Sequence, residues 1–204
     1  MIDFFFSQYK DYSNFLIILE LTAVLFGIIS VLLARKNNIL VYPTGLISAV
    51  IYVYILLEWK LFGDLIINIY YSFMSVLGWY LWSRKKKGTT EFPISVMNRK
   101  DYVFSSLIFS GTLFFIALVY HFFDKFTNWT AYLDTLTSAL FFLGMWLMAK
   151  RKIENWILWI FADIISVPLY FYKGLTFSSL QFLLFTIIAI LGYIEWKKIL
   201  QKKI

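Results

Sequence analysis

Residues 83–101, SRKKKGTTEFPISVMNRKD, form the one long polar stretch in a chain of 204 residues. On its N-terminal side lie three apolar runs, at about 14–34, 39–58 and 63–83. On its C-terminal side lie four, at about 102–122, 131–150, 153–172 and 177–199. Crossing the hydrocarbon core of a bilayer takes about 20 mostly apolar residues, which each run supplies. The runs are continuous, whereas barrel strands would be about ten residues long and alternate in polarity. The expected fold is therefore an all-α membrane protein of seven transmembrane helices.

Composition points the same way. Hydrophobic residues make up 61% of the chain and charged residues 15%, with a mean hydropathy of +0.74. Soluble domains carry roughly 45–50% apolar and about 25% charged residues, so lipid must be the solvent for most of this surface. With no cysteine, disulfides and thiolate metal sites are excluded, and a single histidine, His121, excludes a multi-histidine centre. The first residues, MIDFFFSQYKDYSNF, lack a basic n-region and a small-residue cleavage site, so no removable signal peptide is expected.

The basic residues fix an expected orientation. Arg35 and Lys36 fall in the first loop; Arg84, Lys85, Lys86, Lys87, Arg99 and Lys100 in the third; Lys150, Arg151 and Lys152 in the fifth; Lys197, Lys198, Lys202 and Lys203 in the tail. Seven crossings put all of these on one side, 15 of the 19 basic residues. Only Lys10, Lys60, Lys125 and Lys173 fall on the other. An even number of helices would scatter this bias. The positive-inside rule places the C-terminus in the cytoplasm and the N-terminus outside. The net charge of +7 is then a topology signal, not a nucleic-acid surface. The expected localisation is an inner membrane, crossed seven times; the family resemblance given below makes that the bacterial inner membrane.

A weak repeat runs through the chain. Gly78-Trp79-Tyr80-Leu81-Trp82 closes the third run and Gly192-Tyr193-Ile194-Glu195-Trp196 the seventh, both leading into basic residues. Upstream, Ile51-Tyr52-Val53-Tyr54 before Glu58-Trp59-Lys60-Leu61 echoes Leu169-Tyr170-Phe171-Tyr172 before Lys173-Gly174-Leu175. Runs one to three and five to seven start on the same side, so the two triplets would be parallel repeats inverted by a linker helix, one known transporter plan. The expected units are 1–83, a first triple-helix bundle; 84–130, the basic loop and linker helix; and 131–204, a second bundle with its tail.

Polar groups inside spans are costly and mark candidate sites. Asp64, Asn68, Tyr71 and Ser75 share one helical face, with Ser72 nearby; interhelical bonding is the alternative role for such groups. Trp156, Trp159, Asp163 and Tyr170 share a face of the sixth run, with Asp163 near mid-span. An uncompensated carboxylate at that depth costs about 2.5–3.5 kcal/mol on insertion scales. No Lys or Arg lies at similar depth, so the carboxylate needs hydrogen-bond donors, water, a proton or a cationic ligand. Indole faces attract cations and stack on flat rings, which suits a planar cationic heteroaromatic. Trp79, Trp82, Trp129 and Trp196 fit an interfacial belt, and Trp156 stands near the inner boundary. Gln181 and Asp134 are further intramembrane polar candidates, and His121 reads as an interfacial residue. Pro43, Gly45 and Pro168 are candidate bending points. Nucleotide-binding glycine loops, HExxH, GxSxG and paired catalytic carboxylates are all absent, so no enzyme and no cofactor is expected.

The segments ENWILWIFADIISVPLYFYKGL, DTLTSALFFLGMWLMAKRK and KLFGDLIINIYYSFMSVLGWYLW resemble the PnuC family of bacterial vitamin transporters. That resemblance implies a pair of fused SemiSWEET-like triple-helix bundles carrying nicotinamide riboside by facilitated diffusion, with cytoplasmic phosphorylation trapping the product. It also implies a substrate site between the triplets at Trp156 and Trp159, with Asp163 on the same face, Asn68 and Tyr71 in the matching helix-three signature, and Gln181 in helix seven. Thiamine, which is also cationic, and riboflavin are alternatives within the family. A proton-coupled transporter using Asp163, and a non-transporting membrane enzyme or scaffold, are the rival functions. A lone chain and a homo-oligomer fit the residues equally.

Overall fold

The computed structural model describes residues 13–58, 62–86, 89–90, 92–122, 124, 126, 128–173 and 176–202. Of the residues used above, Lys10, Trp59, Lys60, Leu61, Lys87, Lys125, Gly174, Leu175 and Lys203 lie outside the described set, as does the side chain of Asp64. Among the described residues, seven helices are long and apolar enough to cross a membrane, judged by length and composition. They are α1 (Asn14–Arg35), α2 (Val41–Glu58), α3 (Phe62–Ser83), α4 (Arg99–Phe122), α5 (Thr130–Ala149), α6 (Glu154–Tyr172) and α7 (Thr176–Gln201). Their outward faces are apolar, as at Leu107 and Phe114 of α4 and Ile18 and Leu21 of α1, which is the surface lipid requires.

Packing groups the helices as three, one and three. Helix α2 packs on α1 and α3; helix α6 packs on α5 and α7. The two triplets meet where α3 lies on α5 and where α1 lies on α7, while α4 packs against α5. Bonds from α3 to the last turn of α5, from α7 to the last turn of α1, and from Ser95 to the α5–α6 turn bring the described basic connections to one end, the basic end.

The repeat extends to backbone detail. Helix α1 ends with Asn37 in the left-handed region (φ 52°), its N–H donating to the Ala34 carbonyl and that of Asn38 to Leu33. Helix α5 ends in the same way at Arg151 (φ 52°), whose N–H donates to Met148 while that of Lys152 donates to Leu147. Both are Schellman caps. Downstream, Tyr42 of α2 lies on Gly78 of α3, where an added Cβ would stand 2.1 Å from the ring. Trp156 of α6 lies on Gly192 of α7, where an added Cβ would stand 2.7 Å away. The pairs Asn37/Arg151, Tyr42/Trp156, Gly78/Gly192 and Trp82/Trp196 are each separated by 114 positions. That register corrects the second echo in the sequence. Tyr52 matches Ser166 and not Tyr170, because the aromatic clusters sit one turn apart along their helices.

Two further expectations change. Pro43 is in the first turn of α2, where its missing N–H has no helical partner to lose, so it is no bending point; Pro168 does lie inside α6. The polar stretch 83–101 is also more than a divider. After a short antiparallel pair (Lys85 with Thr90, Lys86 with Thr89), residues 92–97 form a strap across the α5–α6 turn. The Ser95 N–H donates to Arg151 O, and the Ser95 carbonyl accepts from the Ile153 N–H; Met97 N–H donates to Glu154 Oε1; Ile94 is buried. Asn98 and Asp101 then cap α4 reciprocally, each side chain accepting the other's N–H.

Candidate functional site

Between the triplets lies a cavity of about 220 Å³. Helices α1, α2 and α3 supply one side and α5, α6 and α7 the other; α4 contributes nothing among the described lining. Six residues singled out in the sequence meet there: Asn68 and Tyr71 from α3, Trp156, Trp159 and Asp163 from α6, and Gln181 from α7. Ser75, on the same α3 stripe, joins them. Tyr170 does not. Its spacing gives it the right azimuth on α6, but it stands seven residues past Asp163, about 10 Å along the axis. There its ring packs on Phe182 and lies 5.1 Å from Lys173 Nζ.

Other candidates also separate from the cavity. Asp134 pairs with Lys173 at 2.6 Å within the second triplet. Ser72 bonds back to the Asn68 carbonyl in its own helix. Trp79 and Trp129 are 43% and 51% exposed and suit a belt. Trp82, Trp156 and Trp196 do not: they are 3%, 1% and 0% exposed and belong to the core. Their proximity to basic loops suggested an interface, but helix packing turns these indoles inward.

The placement of the α6 side chains follows from local packing. Trp156 is wedged between Gly192 and Trp196, with ring centroids 5.5 Å apart at 89° to the latter. Trp159 lies over Gly144 of α5, where an added Cβ would be 3.3 Å from its indole nitrogen. Its ring is flanked by Phe141 at 5.3 Å and Tyr71 at 6.4 Å. Asp163 is 2% exposed. One of its oxygens, Oδ1, and the indole nitrogens of Trp156 and Trp159 are buried without a hydrogen-bond partner.

Three unpartnered polar atoms along one helix face of one cavity mark a candidate site, because buried polar groups are otherwise almost always satisfied. The described lining holds no Lys, Arg or His, so Asp163 is its single charged group. A buried carboxylate without a partner is costly. A cationic ligand would offset that cost, and the indole N–H groups could donate to its acceptors. The wall contains no nucleophile–base pair, and no cluster of three His, Cys, Asp or Glu capable of holding a metal occurs among the described residues.

Sequence reasoning missed the α1–α2 side. Gly27, Ser30, Gly45 and Ser48 line the cavity because small residues let α1 and α2 approach closely. The Ser48 hydroxyl donates to Ala23 O and that of Ser30 to Val41 O. Their Gly-x-x-Ser spacing, Gly27 to Ser30 and Gly45 to Ser48, was the available signal. Tyr42 was missed too, because a tyrosine in the first turn of an apolar helix carries no distinctive signal of its own.

Residues 17–198 match the model of the nicotinamide mononucleotide transporter family. The chain belongs to this family. It is 24% identical to the nicotinamide riboside transporter PnuC of Escherichia coli (strain K12) over 205 residues, covering 87% of this chain and 84% of that one. It is 26% identical to the Neisseria mucosa PnuC over 195 residues, with 88% and 72% covered. A riboflavin/roseoflavin transporter, RibM of Streptomyces davaonensis, is 23% identical over 128 residues, covering 60% of this chain and 58% of RibM. A crystal structure of the vitamin B3 transporter PnuC shares the fold, with a TM-score of 0.68 over 97% of this chain and 86% of that one at 22% identity. Family membership makes this multi-pass chain a membrane transporter and not an enzyme, and places the cavity between two triplets of a transport fold.

Proposed function

We propose that the chain imports nicotinamide riboside through the cavity between its triplets. The observation that carries the proposal is the set of unpartnered atoms on α6: a lone buried carboxylate at Asp163 beside the indole nitrogens of Trp156 and Trp159. The nicotinamide ring is flat and permanently cationic, so it can stack on Trp159 and place its charge toward Asp163. Its ribose hydroxyls and amide can bond to Asn68, Gln181 and the indole N–H groups. Riboflavin is larger and carries no fixed charge, so Asp163 would stay unpaired against it. The named substrate of the Escherichia coli and Neisseria mucosa PnuC relatives supports the same cargo.

Transport follows as rocking of the units 1–83 and 131–204 about the cavity, with 84–130 as the connection. The basic end faces the cytoplasm by the positive-inside rule. Phosphorylation of the product inside suffices to hold the gradient, so no coupling ion is invoked. The test is uptake of labelled nicotinamide riboside by a strain that depends on it, alongside thiamine and riboflavin as competitors. The parent should transport it, and the Trp159→Ala, Asn68→Ala double variant should lose uptake while reaching the membrane normally. Unimpaired transport by that variant would discard the site.

A further inference from the structure

At the basic end the triplets are joined by two bonds that mirror one another. The Trp82 indole, at the end of α3, donates to the Ala149 carbonyl in the last turn of α5, 3.2 Å away. The Trp196 indole, at the end of α7, donates to the Ala34 carbonyl in the last turn of α1, 3.1 Å away. Each indole therefore leaves its own triplet to bond the first helix of the other. Both bonds are buried. Neither tryptophan lines the cavity, but each meets a residue that does. Tyr42 stands edge-on to Trp82 at 5.0 Å and 89°, and Trp156 edge-on to Trp196 at 5.5 Å and 89°. Tyr42 and Trp156 close the cavity toward the basic end together with Ala34 and Met148. The Tyr42 hydroxyl adds a third cross-bond of 3.4 Å, to Met148 O.

We propose that Trp82 and Trp196 are the positioning residues of a paired clasp that holds the basic end of the transport path shut. Their acceptors are backbone carbonyls fixed in helix ends, so a relative shift of the triplets by an ångström or two exceeds hydrogen-bond range in both clasps together. In the dry core no other acceptor replaces the lost one, and a buried indole N–H left open is costly until water reaches it. Opening is then a single step in which both indoles release, Tyr42 and Trp156 part, and the floor of the cavity wets. Packed interfaces of this kind switch between discrete states instead of deforming gradually. Each clasp also has its own support. Arg35 bonds Glu195, next to Trp196, at 2.6 Å. The Arg151 guanidinium lies 3.9 Å over the Trp82 ring and donates to Phe92 O of the strap.

The inference rests on the rocking of the triplets proposed above, not on which cargo they carry. Because the chain contains no cysteine, Ser75→Cys supplies a single reporter in the cavity lining. An impermeant thiol reagent is applied from the membrane face that carries the basic loops. Adding Trp82→Phe and Trp196→Phe, which keep an aromatic ring at each place and remove the N–H donor, should raise the labelling rate roughly tenfold or more. An unchanged rate in the folded double-Phe protein overturns the proposal. A second arm leaves both tryptophans in place. Arg35→Cys with Glu195→Cys, joined by a short cleavable thiol cross-linker, should stop uptake of labelled nicotinamide riboside until the linker is cut. Undiminished uptake by fully cross-linked protein overturns it as well. The labelling arm uses no cargo, so a wrong cargo assignment would not imitate failure of the clasp.

Discussion

Helices α2 and α6 hold equivalent places in the two triplets, yet where α6 presents Trp156, Trp159 and Asp163 to the cavity, α2 presents Tyr42, Gly45 and Ala49. The third helices are unequal in the opposite sense. Helix α3 brings Asn68, Tyr71 and Ser75, where α7 has Phe182, Phe185 and Ala189 at the matching positions. What stays constant between the triplets is the frame: the left-handed caps at Asn37 and Arg151, the seats at Gly78 and Gly192, and the bonds from Trp82 and Trp196. The difference separates two jobs. The repeated parts sit at helix ends and govern how the triplets fit together. The unrepeated parts line the cavity, and on the proposed function they govern what it holds. A nearly symmetric frame thus encloses a one-sided site, aromatic and acidic on α6 and amide-bearing on α3 and α7.

Breaking the frame should hurt both halves alike. Gly192→Ala would drive a methyl into Trp156, and Gly78→Ala would drive one into Tyr42. Overpacking of this kind costs about 1–3 kcal/mol. Both variants should therefore lower the thermal unfolding temperature of the purified protein by similar amounts, read by fluorescence in detergent. If only Gly192→Ala destabilised, the equivalence of the two seats would be lost. A smaller effect is expected where the halves differ. The Arg35–Glu195 pair spans the triplets but both side chains are about a third exposed, and exposed pairs contribute about 0–1 kcal/mol. Glu195→Gln should leave the unfolding temperature almost unmoved. A loss as large as that of the glycine variants would mean that this bridge, and not the indoles, holds the basic end.

Much of the fold was legible in the sequence because lipid imposes a strict rule on length and polarity. The helix ends lie within a few residues of the apolar runs, and the weak Gly-aromatic-x-x-Trp repeat marked parts with matching geometry. Six of the seven candidate residues line the cavity, and they stand out in the sequence as a carboxylate, an amide, a phenol or an indole in an apolar helix. Tyr170 shares the face but not the cavity, because periodicity reports the face of a helix and not the depth along it. The belt assignment of Trp82 and Trp196 failed for a related reason: hydropathy cannot tell an indole facing lipid headgroups from one facing a helix. The strap was hidden because its apolar contacts, Phe92 and Ile94, are two residues inside a basic, polar run. The small residues of α1 and α2 carry no chemistry of their own, so only packing reveals that they line the cavity.

The central claim is that the unrepeated wall on α6 recognises a cationic ring through Asp163. It is tested most directly by equilibrium binding to the purified protein of nicotinamide riboside and of its reduced, uncharged form, in the parent and in Asp163→Asn. The parent should bind the cationic form at least about tenfold more tightly, a difference of about 1.4 kcal/mol, and Asp163→Asn should lose most of that preference. Equal preference for the two forms in the parent, or a preference that survives in Asp163→Asn, would contradict it.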